Sequence, residues 1–167
     1  MRSTLLILLV LIASPWAQAE LIDEVNDRGE LRIAVQADAP PFSFKQDQRL
    51  TGFAIELGQV LAGELDVRAE FIETPADEVL PGVESGKYDI ALDQVSAREQ
   101  LDGRVDVSQP YQPRQDDTPS LVIPFQKGNP AFRSAVDNAL QRIKDDGRLA
   151  ALQQKWLEDK DDAPAQP

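Results

Sequence analysis

The side chains that could do chemistry in this sequence are carboxylates, hydroxyls, amides and cationic groups, because it contains neither histidine nor cysteine. Without histidine, the chain lacks the usual acid–base group near neutral pH and the commonest metal ligand. Cysteine proteases, histidine-containing serine triads and ordinary zinc sites are therefore excluded. The 29 aspartates and glutamates include no pair whose spacing forces two carboxylates together. The sequence thus predicts no catalytic residue, no metal and no cofactor.

The net charge of the chain, formally −12 at pH 7, limits its partners. Binding to phosphates needs a basic face, so nucleic acid is excluded as a partner. An anionic lipid surface is disfavoured for the same reason. The acidic residues are spread along the chain, which indicates a solvated surface.

Residues 1–19 have the order typical of a secretory signal peptide. Arg2 supplies a positive charge, residues 5–12 are an unbroken apolar run, and residues 17–19, Ala-Gln-Ala, form a small-residue cleavage site. The apolar run is shorter than the ~20 residues that a membrane-spanning helix needs. We therefore predict export, with cleavage after Ala19. Residues 20–158 then form one domain, and the charged, proline-rich residues 159–167 are predicted to be a disordered tail.

The apolar pattern predicts the elements that must position any site. Apolar residues at helical spacing indicate helices, and short alternating runs of branched residues indicate strands. The predicted helices cover residues 21–26, 53–65, 76–84, 130–144 and 149–157. The predicted strands cover residues 31–35, 67–72, 88–92, 105–107 and 120–125, with a small hairpin at 42–51. This order predicts an α/β domain with a mostly parallel five-stranded sheet and helices on both faces.

A series of short motifs runs in order along most of the chain. They include Gly-Glu-Leu-Arg-Ile-Ala-Val at residues 29–35, Pro-Pro-Phe-Ser-Phe at 40–44, Ser-Gly-Lys-Tyr-Asp at 85–89 and Val-Asp-Val-Ser-Gln-Pro-Tyr at 105–111. Through these motifs the sequence resembles family 3 of the bacterial solute-binding proteins, the periplasmic receptors of polar amino-acid ABC transporters. The resemblance implies a periplasmic location, a type II periplasmic-binding-protein fold and an antiparallel strand at 120–125.

The sequence has no room for the second lobe that this resemblance implies. Family members cross from the first lobe to a second one and return, and Pro110-Tyr111 marks the outward crossing. Only residues 112–119 follow before the strand at 120–125, and such a short polar segment cannot form a domain. We therefore predict a single lobe with a shortcut at residues 112–119.

The segment before the Pro-Pro-Phe motif departs from the family pattern. Family members usually offer here an acidic residue for the ligand's amine and an aromatic ring that stacks on the ligand. Gln36 and Ala39 occupy these two places, judged by their spacing to Phe42. Asp38 could replace the lost acid, or could serve in a turn or on the surface.

The segment after the third predicted strand departs as well. The family typically has a Ser-Gly-x-Thr turn, followed by an arginine that grips the ligand's carboxylate. Asp93 and Ser96 stand at the serine and threonine places, and Leu101 stands at the arginine place. Arg98 lies three residues before that place and Arg104 three residues after it. The predicted ligand-binding residues are Gln36, Asp38, Phe42, Asp93, Ser96 and Arg98.

A single lobe predicts weak binding. A closed two-lobe site commonly reaches about −8 to −12 kcal/mol. One lobe supplies about half the contacts at the full ordering cost, which leaves on the order of −4 kcal/mol, a millimolar constant.

Three functional hypotheses follow. The first is a solute-binding-like module whose monomer binds small polar or amino-acid-like solutes weakly or not at all, and which an ABC permease or a homodimer could complete. The alternative is a repurposed scaffold that binds another envelope protein. A dehydratase-like enzyme is the remote third, because a few relatives of the fold act on carboxylic acids.

Overall fold

The computed structural model describes residues 19–96, 103–112 and 120–158. Its helices are α1 (Leu21–Arg28), α2 (Phe53–Glu64), α3 (Ala76–Glu84), α4 (Pro130–Asp145) and α5 (Arg148–Gln153), and α5 continues into a π-helical turn, Gln154–Glu158. Its strands are β1 (Glu30–Val35), β2 (Asp38–Ala39), β3 (Ser43–Gln46), β4 (Arg49–Thr51), β5 (Arg68–Glu73), β6 (Ile90–Ala91), β7 (Val105–Val107) and β8 (Pro124–Gln126). The predicted leader up to residue 18, residues 113–119 of the predicted shortcut and the predicted tail at 159–167 lie outside the described residues.

The central sheet has five strands in the order β5-β1-β6-β8-β7. Strand β1 pairs in parallel with both β5 and β6. Strand β8 pairs antiparallel with β6 and β7, so it runs against the other strands of this sheet. The mostly parallel five-stranded sheet is confirmed, and so is the antiparallel direction of the strand that follows residue 120.

Helices cover both faces of this sheet, as the sequence pattern predicts. Leu31, Ile33 and Val35 alternate along β1 and enter the larger core with α1, α2, α4 and α5. Ala34 belongs to the second core, where it packs with Val79 of α3. The two-residue period of β1 therefore supplies side chains to both cores. In the part of the chain that the structure describes, no helix is long and apolar enough to cross a membrane.

Two strands are shorter than the sequence predicts. The strand expected at 88–92 is reduced to Ile90–Ala91, and the strand expected at 120–125 becomes Pro124–Gln126. Leu121 instead forms isolated antiparallel bridges with Ser96 and Gln112. A local pattern cannot distinguish a strand residue from such a bridge, because both bury an apolar side chain.

Strands β2, β3 and β4 form a second, antiparallel sheet in that order. The sequence predicts the β3–β4 hairpin but not β2, which is only two residues long. Asp47 and Gln48 form the hairpin tip, with φ angles of 50° and 64°. Positive φ at both central residues is what a two-residue type I′ turn requires, and it matches the twist of the flanking strands.

A buried carboxylate fixes the start of β6 to β1. Asp89 is fully buried and accepts hydrogen bonds from the side chains of Arg28 and Arg32. It also accepts one from the backbone N–H of Arg32, at 2.7 Å. The hydrogen bond to Asp89 raises the pKa of the Arg32 guanidinium, against the lowering effect of burial. These contacts lie at the end of the sheet where the parallel strands begin.

Glu64 joins the end of α2 to the last helices. Its carboxylate accepts hydrogen bonds from Arg142 of α4 and Arg148 of α5. The hydrogen bond from Arg142, followed by that from Arg148, lowers the pKa of Glu64 below its ordinary value. A lowered folded-state pKa means that the stabilisation is complete above the unfolded-state pKa and is lost as the pH falls through the folded-state pKa.

We therefore expect Glu64→Gln to lower the free energy of unfolding by up to about 1 kcal/mol at neutral pH, the usual size for exposed ion pairs. The difference from the unsubstituted protein should shrink as the pH falls below the ordinary pKa of a glutamate. Urea denaturation at several pH values measures this. A difference that stays constant with pH would show that the charge on Glu64 does not contribute.

Candidate functional site

Gln36 and Asp93 meet at the carboxyl ends of two neighbouring parallel strands. Gln36 directly follows β1, and Asp93 lies two residues beyond β6. The side-chain Nε2 of Gln36 donates a hydrogen bond to Asp93 Oδ1 at 2.6 Å. Carboxyl ends of parallel strands share one edge of a sheet, and in open α/β sheets this is the edge where ligands bind. The fold thus brings together two of the residues that the sequence singles out.

The small sheet carries Asp38 and the strand that follows Phe42. Asp38 is exposed and lies in β2, opposite Phe44 of β3. Phe42 is half-buried, and its ring meets Phe53 edge-on, with 5.8 Å between ring centroids. The segment Asp38–Phe42, called the rim below, leads from the end of β1 to the start of β3.

Backbone hydrogen bonds fix the rim to the start of α2. The N–H of Phe53 donates to the carbonyl of Pro41 at 3.0 Å, and the N–H of Ala54 donates to the carbonyl of Phe42 at 2.7 Å. These N–H groups belong to the first turn of α2, where they have no acceptor within the helix. The rim carbonyls therefore accept hydrogen bonds from two N–H groups at the start of α2, and these bonds fix the position of the rim.

The other sequence-predicted residues lie in different places. Ser96 is only 8% exposed, and its backbone bridges to Leu121, so it lies under the surface near the edge. Arg98 and Leu101 lie outside the described residues. Arg104 precedes β7 and pairs with Glu84 at the end of α3. Because β7 runs in the same direction as β6, Arg104 lies at the opposite edge of the sheet and cannot replace the family arginine.

Tyr111 belongs to the neighbourhood of this edge, although the sequence indicates only that it marks a crossing point. It is almost fully buried, and its ring stacks on Phe53 with 6.2 Å between centroids. Burial raises the pKa of the Tyr111 phenol, and the negative charge of Asp93 raises it further. Tyr111 therefore remains a neutral phenol at physiological pH. Phe42, Phe53 and Tyr111 form a row of rings that supports the rim from below.

Residues 111–112 lie beside Leu121. The N–H of Tyr111 donates to the carbonyl of Leu121 at 3.0 Å, and the N–H of Leu121 donates to the carbonyl of Gln112 at 3.1 Å. The segment that joins them, residues 113–119, is outside the described residues. The single-lobe shortcut stays a prediction that this pairing supports.

Two concave regions of about 340 Å³ each occur among the described residues, and neither is lined by Gln36 or Asp93. One lies between the start of α1 and residues 126–129, and it is lined mainly by polar groups. The other lies beside Pro110, Tyr111 and Lys144, against α4 and α5. Gln36 and Asp93 are both partly exposed, so a solute at this edge would keep one side in water unless a second body covers it.

Comparison with known proteins decides the family. Residues 31–159 match the model of the bacterial extracellular solute-binding proteins, family 3. The chain belongs to this family. It is 35% identical over 97 residues to the L-cystine-binding protein TcyJ of Escherichia coli (strain K12), an alignment that covers 58% of this chain and 36% of TcyJ. The chain thus spans about a third of the length of that relative, and the proteins it matches are mainly amino-acid-binding proteins.

Solved structures agree with the fold. The ancestral amino acid-binding protein AncCDT-1, a precursor of cyclohexadienyl dehydratase, aligns with a TM-score of 0.75 at 24% identity, covering 83% of this chain and 99% of that chain. Domain 1 of TmArgBP, crystallised in its arginine-bound form, aligns with a TM-score of 0.67 at 24% identity, covering 72% of this chain and 98% of that domain. At this identity the likeness establishes the fold, which is a single lobe of the periplasmic-binding-protein type.

Proposed function

We propose that this protein is a periplasmic solute-binding module whose monomer holds small polar, amino-acid-like solutes weakly at the Gln36–Asp93 edge. The observation that carries the proposal is the hydrogen bond between Gln36 and Asp93 at the carboxyl ends of β1 and β6. Family membership supports the class of solute. The leader predicted at residues 1–19 supports the location.

The chemistry of the edge suits the cationic end of such a solute. Gln36 is a neutral donor, so it orients the Asp93 carboxylate without cancelling its charge. Asp38 places a second carboxylate on the rim, and half-buried Phe42 offers apolar surface. Arg98 is our candidate for the solute's carboxylate, because the family place for this role is held by Leu101.

The expected affinity is low. One open lobe supplies about half the contacts of a closed site, which leaves on the order of −4 kcal/mol. Domain 1 of TmArgBP in its arginine-bound form is a precedent for a ligand on one lobe of this fold. Here Ala39 and Leu101 stand where the family usually has a stacking ring and an arginine, so we expect weaker binding. An ABC permease, another envelope protein or a second copy of the chain could cover the open side.

We propose no catalytic role. The chain has no histidine, and the relatives that it matches are mainly binding proteins. The dehydratase-like alternative has no specific support at the edge, because Asp93 is hydrogen-bonded there to Gln36, an amide that does not titrate.

Titration of isotope-labelled protein with amino acids, followed by NMR, tests the proposed site. We expect chemical-shift changes to concentrate on residues 36–42 and 93–96. Asp93→Asn and Arg98→Ala should each weaken binding by about 1–3 kcal/mol, the usual cost of losing a charged hydrogen bond.

Asp27→Asn is the matched control, because Asp27 is exposed on α1, which leads into the opposite edge of the sheet. It should leave the affinity unchanged. Shifts that map to another surface, or an Asp93→Asn variant that binds as well as Asp27→Asn, would refute the site.

A further inference from the structure

We propose that the π-helical turn Gln154–Glu158 positions the rim of the candidate site, with Trp156 as the positioning residue. The inference rests on the proposed function for its effect on binding. The coupling of the turn to the rim rests on the contact between Trp156 and Phe44 and on the strand pairing of Phe44 with Asp38.

Trp156 contacts the middle strand of the small sheet. Its ring meets Phe44 of β3 edge-on, with 6.1 Å between centroids and an interplanar angle of 77°. Phe44 pairs with Asp38 on one side and with Thr51 on the other. A shift of the Phe44 backbone is therefore passed through the strand pairing to Asp38, where the rim begins.

The turn itself is held to the body of the lobe. Lys155 forms an ion pair with Glu56 of α2 and lies 5.2 Å above the Trp156 ring. Leu152 and Leu157, on either side of Trp156 in the sequence, pack against the larger core. The same helix α2 receives the rim through the N–H groups of Phe53 and Ala54. The rim thus has two supports. Helix α2 holds its end at Phe42, and Trp156 packs against β3, the strand that pairs with Asp38 at the start of the rim.

The contact of Trp156 with the small sheet is made by its ring, which meets Phe44 edge-on. Among the described residues, the buried indole Nε1 has no hydrogen-bond partner. A π-helical turn is an uncommon geometry that occurs mostly as a local distortion of an α-helix, often at functional sites. The indole is held against Phe44 by ring packing and by the Lys155 ammonium over its face. A phenyl ring in the same place should serve equally well.

The test compares Trp156→Ala and Trp156→Phe with Val136→Ala, a control that truncates a fully buried side chain of α4 in the same core. NMR spectra report the amide shifts of residues 38–46, and titration with the amino acid that binds best reports the affinity. We expect Trp156→Ala to shift these amides and to weaken binding about fivefold or more, as loosened support of a site does. Trp156→Phe should restore both, and Val136→Ala should lower the melting temperature without either effect.

Two results would overturn the proposal. The first is a Trp156→Ala protein with unchanged rim amides, and the second is a Val136→Ala protein that shifts them equally. If Trp156→Ala does not fold, Phe44→Leu probes the same contact from the other side and should reproduce the shifts in residues 38–46. If the unsubstituted protein binds no amino acid, the proposed function fails, while the amide shifts still decide whether Trp156 positions the rim.

Discussion

Replacing Asp89 by alanine is expected to lower the free energy of unfolding by about 3 kcal/mol or more, because it removes a buried charge partner. The carboxylate is 0% exposed and accepts hydrogen bonds from two arginine side chains and one backbone N–H. Its loss removes the carboxylate that Arg28 and Arg32 share. The side chains of Arg28 and Arg32 are 29% and 25% exposed, which places the cost at the lower end of the range for buried pairs.

Urea denaturation compared with Asp27→Ala measures this cost. Asp27 is exposed in the last turn of α1, one residue before Arg28, so its replacement should change stability by about 0.5 kcal/mol or less. Asp89→Asn should fall between the two, because it keeps the shape of the side chain and loses the charge. An Asp89→Ala protein as stable as the Asp27→Ala protein would show that the two arginines find other partners.

Replacing Gly52 by alanine is expected to destabilise the protein by about 3 kcal/mol and to displace the rim, since strained backbone conformations cost about 1–3 kcal/mol before any clash. Gly52 has φ 124° and ψ 178°, a conformation nearly restricted to glycine. A Cβ atom there would lie 2.4 Å from the carbonyl oxygen of Phe42 and 2.8 Å from that of Pro41. Both obstacles are backbone atoms that hydrogen-bond to the start of α2, so neither can move without breaking the rim's support.

Gly63→Ala is the matched control. Gly63 lies in the same helix α2, and a Cβ atom there would meet nothing within 4 Å. Alanine in a helix is favoured over glycine by about 0.5–1 kcal/mol, so this variant should be slightly more stable. Thermal denaturation and the amide shifts of residues 40–44 distinguish the two variants. If Gly52→Ala behaves like Gly63→Ala, the close approach of the rim to Gly52 is not maintained in solution.

The main sheet could be predicted from the sequence because its signals are local. Leu31, Ile33 and Val35 alternate, and this alternation specifies a strand with a buried face before any partner is known. The alternation of strands with helices along the chain then predicts that these strands pair in parallel. The helix at 76–84 was predictable for the same reason, and its bounds agree with α3.

The site could be predicted only in part, because it depends on contacts between distant residues. Family spacing singles out Gln36 and Asp93 separately, and the parallel pairing of β1 with β6 brings them together. The pairing of Asp38 with Phe44 and the contact of the Trp156 ring with Phe44 could not be predicted, since neither leaves a periodic pattern. Tyr111 was interpretable only as a crossing point, because its stacking on Phe53 joins residues far apart in the chain.

The central claim is that one lobe of this family, without the usual ring and arginine, holds amino acids weakly at the Gln36–Asp93 edge. Isothermal titration calorimetry with each common amino acid, on protein shown by sedimentation to be monomeric, tests it most directly. We expect dissociation constants of about 1 mM or weaker, with the residual binding lost in Asp93→Asn. A micromolar or tighter constant for any amino acid on the monomer would contradict it.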